Sequence, residues 1–257
     1  MQLMKITDLI ARARSPFMRR TMFRTGGDMT RTLYALCGTD RTRPFSPHVW
    51  KTKLSLAHKG LGFDVAPVGF TEIPKLEQGA TKIVPLLRDG DNLVSDSFDI
   101  ALYLEETYPD HPALFGCEGG KAAARFVEGW SQMTLHPAIG RIAIMNIHDS
   151  LDPVDQAYFR QSREQRFGKS LEATAEAGEA DLETFSMKLE PLRHMLKFQP
   201  FIGGDGPLFA DYIVFGALQW ARIVSPHRLL AEGDVVSDWF ERCLDLHDGL
   251  GRSVTAA

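Results

Sequence analysis

The chain has 257 residues, 44% hydrophobic and 24% charged, a make-up that points to a globular protein of one or two domains. No apolar run approaches the roughly 18 residues needed to cross a bilayer, so no membrane partner is expected. Cys37, Cys117 and Cys243 are too few and too scattered for a disulfide framework or a zinc site, so no metal is expected and a reducing cytoplasm is the natural compartment.

The net charge of −4 is uneven. Residues 1–30 hold six basic and two acidic side chains, which leaves −8 on the rest. A body of that sign is a poor partner for nucleic acid. The basic segment lacks the sustained apolar stretch of a secretory signal and reads as a disordered extension. Met29 would serve as an alternative start.

Further along, "RTLYALCG" (31–38) reads as a strand ended by Gly38. "PHVWKTKLSLAHKG" (47–60) spaces its apolar residues for one helical face and stops at Gly60. Residues 61–70 form a second strand candidate, and 71–80 a short helix or loop. "KIVPLLRDGDNLVSDS" (82–97) reads as a hairpin turning at Asp89-Gly90-Asp91. "DSFDIALYLEETYP" (96–109) is a helix stopped by Pro109.

This order makes a small α/β unit over 31–109. A Pro- and Gly-rich linker follows over 110–121, then an all-helical unit over 122–250. Within that unit the pattern predicts helices over 122–147 (bent at Pro137), 152–168, 172–197 and 235–249, and over 201–224 a Gly-rich turn followed by a strongly apolar helix. The stretch 212–221 lacks a polar face, so its helix should be central.

Three features of the α/β unit could carry chemistry. Ser46-Pro47 is a helix start: serine caps, proline suits the first turn, and the free amides there favour an anion, including a thiolate. Val84-Pro85 interrupts a strand with a residue that has no amide to donate. Asp96-Ser97 opens the next helix. It can act as a cap, or offer a hydroxyl and amides to a carboxylate and a charge to an ammonium.

Together "FSPHVWKTKLSLAHKG", "KIVPLLRDGDNLVSDSFDIALYLEETYP" and the helical second half resemble the glutathione S-transferase family. The most specific part of the match is 82–109. "SPHVWKTKLSLAHKG" and "FADYIVFGALQWARIVSP" are most similar to the bacterial β-aryl-etherase type, which cleaves lignin-derived ethers; fungal serine-type transferases share "SP..W". The resemblance implies a thioredoxin-like domain followed by an all-α domain, glutathione as co-substrate, a small aromatic electrophile and a homodimer. It implies that Ser46 is catalytic and donates to the glutathione sulfur. Val84 beside a cis Pro85 would hold the cysteinyl unit, and Asp96 and Ser97 the γ-glutamyl end. The second substrate would lie between the domains, near Phe45, Trp50, Phe70 and His136. Trp130 and Met133 fit better as core. Leu208 stands where many members have a capping Ser or Thr, which leaves Asp211 to order that helix. Cys37 reads as a buried apolar group and not as a reactive thiol. A glutathione-binding protein without activity, and a purely structural module, are the competing readings.

Overall fold

The computed structural model describes residues 31–257, so the expected disordered extension over 1–30 lies outside the described residues. Strands β1 (Arg31–Leu36), β2 (Asp64–Val68), β3 (Leu86–Asp89) and β4 (Asn92–Ser95) form one sheet in the order β2-β1-β3-β4. β2 runs parallel to β1, whereas β3 is antiparallel to both β1 and β4. The parallel pair needs a crossover, which α1 (Pro47–His58) supplies. A short 3-10 segment (Ile73–Gly79) leads towards β3, and α2 (Ser97–Thr107) follows the hairpin.

The helical half comprises α3 (Glu118–Trp130), α4 (His136–Ile142), α5 (Ile144–Asp149), α6 (Pro153–Phe167), α7 (Leu171–Lys188), α8 (Glu190–Met195), α9 (Phe209–Val224) and α10 (Val235–Gly249). α9 is the central element. Tyr212 to Phe215, Ala217 and Gln219 are all shielded from solvent, as its unbroken apolar run predicts. It packs directly on α1: a Cβ on Gly216 would come within 2.4 Å of the Pro47 carbonyl oxygen. Glycine is therefore what lets the two helices approach there. None of the described helices is long and apolar enough to cross a membrane.

Two predicted helices are broken where proline removes a donor. The helix expected over 122–147 does not simply bend at Pro137. It widens first into a turn over Ser131–Leu135, where the His136 amide reaches back five residues to Ser131 O. Pro137 has no N–H for the carbonyl four residues earlier, and the wider turn accommodates that gap. The helix expected over 172–197 stops at Lys188 and restarts at Glu190, just ahead of Pro191. Helix α3 begins at Glu118, earlier than the expected 122. Met133 corrects an expectation: it is 80% exposed and not core, because the wide turn resets the helical phase and carries it outward.

Candidate active site

The register of the sheet brings the three candidate features to one end. Tyr34 faces Leu86, and Leu86 faces Ser95. Val84-Pro85 therefore lies beyond the end of the hairpin next to Asp96, and beside the end of β1. The chain leaving β1 returns at once: Phe45 N donates to Leu36 O at 3.1 Å, which sets Ser46 at the same end.

Ser46 is the N-cap of α1. Its Oγ accepts from Val49 N at 3.4 Å, and Pro47 begins the helix. The side chain is buried, with no acidic residue in the first turn to offset the positive helix end. The Val84-Pro85 peptide is cis. Val84 precedes the first ladder pair of β3, so its backbone is outside the sheet bonding.

Asp96 holds φ at 73°. A non-glycine residue there costs on the order of 1–3 kcal/mol. Its carboxylate offsets part of that by accepting from Phe98 N at 2.7 Å and Asp99 N at 3.3 Å. Ser97 is 1% exposed, and its Oγ has no partner among the described residues. A buried hydroxyl left so is costly unless something else binds it.

Residues that the sequence did not single out complete this side. Lys51 on α1 is wholly buried and donates to Glu128 Oε1 on α3 at 3.2 Å. Burial pushes the Lys51 ammonium down; Glu128, and then Asp96, oppose that shift. Arg125 holds the second Glu128 oxygen at 3.2 Å and lies 3.3 Å over the Phe98 ring. The start of α2 is thus tied to the helical half through Arg125, which links Phe98 to the Lys51–Glu128 pair.

On the other side of Ser46, Pro47 and His48 wall a cavity of ≈ 290 Å³ together with His136, Phe159 and Trp220. The rings of His48 and His136 are 5.2 Å apart, and His136 is 5.9 Å from Trp220. Burial pushes His48 down to about 3 and His136 well below its ordinary value, so both are neutral at pH 7. His136 Nε2 has no partner among the described residues.

Of the four residues expected near a second substrate, His136 lines this cavity. Phe45 and Phe70 stand behind it: Phe70 packs on Phe45 at 6.4 Å and on Phe159 at 5.6 Å. Trp50 is a correction. It is fully buried, stacks edge-on to Phe215 at 6.3 Å and donates Nε1 to Pro44 O at 3.0 Å, so it is core. Trp130 is half-buried against the core. Cys37 is buried and its thiol is pushed up to about 11, as fits an inert packing group.

The Leu208 departure is resolved by Asp211. Its carboxylate accepts from Leu208 N at 3.0 Å, Ile202 N at 2.7 Å, Gly203 N at 2.9 Å and Trp239 Nε1 at 3.0 Å. One carboxylate thereby orders both the start of α9 and the loop before it, with no hydroxyl cap.

Family models agree with this architecture. Residues 42–112 match the glutathione S-transferase N-terminal domain and 122–246 the C-terminal domain of the same family. The chain belongs to the glutathione S-transferase family. It is 27% identical over 217 residues to the glutathione S-transferase-like protein ustS of Aspergillus flavus, covering 73% of this chain and 77% of that one. Among solved structures it is similar to glutathione transferase GSTFuA3 of Phanerochaete chrysosporium, with a TM-score of 0.67 and 28% identity over 86% of this chain and 92% of that one. It also shares its fold with the glutathione S-transferase CsGST83044 of Ceriporiopsis subvermispora, which was solved in complex with glutathione. That match has a TM-score of 0.65 and 23% identity, and covers 87% and 95% of the two chains. The family assignment from sequence and its fold are therefore correct.

Proposed function

We propose that the protein is a glutathione transferase in which Ser46 holds the sulfur of glutathione as a thiolate. The observation that carries this reading is the place of Ser46. It caps the helix whose first two residues, Pro47 and His48, wall the cavity. A donor there borders both a glutathione position and a second-substrate position.

The groups gathered at this end of the sheet fit glutathione. Ser97 Oγ is a buried hydroxyl in want of a partner, suited with the α2 amides to the γ-glutamyl carboxylate. Asp96 offers its charge to the neighbouring ammonium. The Val84 backbone, free of the ladder beside Pro85, can pair with the cysteinyl unit.

A free thiol has a pKa of about 8.5 and is mostly protonated at neutral pH. Ser46 Oγ donates to the sulfur, and the α1 amides place partial positive charge behind it. Both favour the charged form. Bound there, glutathione supplies the nucleophile: for a β-aryl ether of lignin origin a sulfur–carbon bond forms, the carbon–oxygen bond breaks, and the phenolate leaves with the electron pair. Neutral His136 can donate one N–H to that leaving oxygen without adding charge to the cavity. In this reading residues 31–109 bind glutathione, 122–250 supply the substrate side with 110–121 between them, and the enzyme works as a cytoplasmic homodimer.

Replacing Ser46 with alanine tests it. Glutathione binding by calorimetry should persist, whereas turnover of an aryl ether or aryl halide should fall about a hundredfold. Unchanged turnover removes Ser46 from the chemistry. An absence of turnover in the parent on every such electrophile, with glutathione bound, favours a binding protein of the same fold.

A further inference from the structure

The far wall of the cavity carries charge that the family reading does not use. Arg141, Arg163 and Arg166 all line it. Arg141 is already satisfied by Asp181 at 2.5 Å. Among the described residues no carboxylate pairs with Arg163 or Arg166. The hydrogen bond of Arg163 goes to Ser162 Oγ at 3.1 Å, and its guanidinium lies 4.7 Å over Phe159 and 5.4 Å over Phe70.

Most of the other described arginines are matched by a carboxylate, and Arg43, Arg222 and Arg242 by backbone carbonyls. One turn earlier on α6, Arg160 pairs with Glu164 and Glu172 at 3.0 and 2.9 Å. Arg193 pairs with Asp234 and Arg252 with Asp245. Arg163 is instead set on an aromatic wall with Arg166 as a like-charged neighbour. Burial and that neighbour both disfavour its charge, yet a guanidinium stays protonated in proteins. An uncompensated cation of this kind is best satisfied by an anion from outside.

We propose that the cavity takes an aromatic electrophile bearing a carboxylate, with its ring against Phe159 and Trp220 and its carboxylate on Arg163 and Arg166. This rests on the transferase reading and names its substrate class. The guanidinium fork matches a carboxylate in plane, and the part-buried setting strengthens the pairing. The volume is at the small end of ligand pockets and suits a substituted ring. Towards Ser46 the lining is Pro47, His48 and His136, and the α1 amides there serve the glutathione sulfur in the transferase reading, which orients the molecule: anion on the arginines, reacting carbon towards Pro47 and Ser46.

The test compares a chlorodinitrobenzoate with the matching neutral chlorodinitrobenzene. In both, a sulfur–carbon bond forms, the carbon–chlorine bond breaks and chloride leaves with the electron pair. In parallel, binding of the unreactive dinitrobenzoate and dinitrobenzene is measured by calorimetry. The wild-type chain should favour the anionic compound about tenfold in kcat/KM and in affinity. That preference should shrink towards unity in Arg163→Gln and be partly kept in Arg163→Lys. Arg166→Gln, at a more exposed position, gives a second reading should Arg163→Gln fail to fold. Equal treatment of the two compounds by wild type, or a preference that survives in both glutamine variants, overturns the proposal. If neither chloride reacts but the binding preference is present and lost in Arg163→Gln, the anion site stands and the transferase reading falls.

Discussion

Lys51 on α1 and Glu128 on α3 form a buried ion pair, 3.2 Å from Nζ to Oε1, that joins the sheet domain to the helical domain beside the start of α2. Lys51 is wholly shielded from water and Glu128 nearly so. Removal of one partner from such a pair leaves an uncompensated charge, at a cost of about 3 kcal/mol or more. Glu128→Gln should therefore lower the unfolding free energy by about that amount in urea titrations. A Lys51→Met/Glu128→Met double variant should recover most of it. A single variant as stable as wild type would mean that the pair contributes little.

Ser97 gives the opposite signature. Its hydroxyl is buried and has no partner among the described residues, so little stability is lost with it. Ser97→Ala should leave the melting temperature close to wild type and weaken glutathione binding about tenfold. Calorimetry and thermal melts separate the two effects. A destabilised variant with unchanged glutathione affinity would contradict the assigned role.

The two neutral histidines make stability depend on pH. Folded His48 titrates at about 3 against an ordinary 6.5, and His136 is shifted the same way. Between those values the unfolded chain binds protons that the folded chain refuses. Stability from these groups is thus flat above about pH 6.5 and lost as pH falls through that window towards about 3. Carboxylates elsewhere add a similar slope, so the informative quantity is the difference between proteins. A His48→Gln/His136→Gln variant should lose less stability than wild type between about pH 7 and pH 5 in denaturant titrations. Parallel pH profiles would show that neither ring is held neutral.

Much of the fold is legible because its signals are local. Ser46-Pro47, Asp96 and the Asp-Gly turn of the hairpin each set their own backbone, and the elements they bound lie where the sequence places them. The apolar run of α9 likewise announces its burial. The family motifs are what put Val84, Asp96 and Ser97 forward as a set. What the sequence hid depends on helical phase and on partners far along the chain. His48 and Trp50 are two residues apart, about 200° around a helix, so the cavity receives the histidine and the core the tryptophan. The wide turn at Ser131–Leu135 turned Met133 out in the same way. Lys51 and Glu128 are 77 residues apart, and the arginine wall depends on α6, which Asp155 ties to the first domain through the Phe70 and Thr71 amides.

The most direct test of the account is the ionisation of bound glutathione. Its thiol can be titrated by ultraviolet absorbance in the complex with wild type and with Ser46→Ala, whose loss of a cap costs only about 1 kcal/mol of stability. The account predicts a thiol pKa well below the free value of about 8.5 in wild type, and one that climbs back towards it when the Ser46 hydroxyl is removed. A bound thiol that titrates at the same pH in both proteins would contradict it.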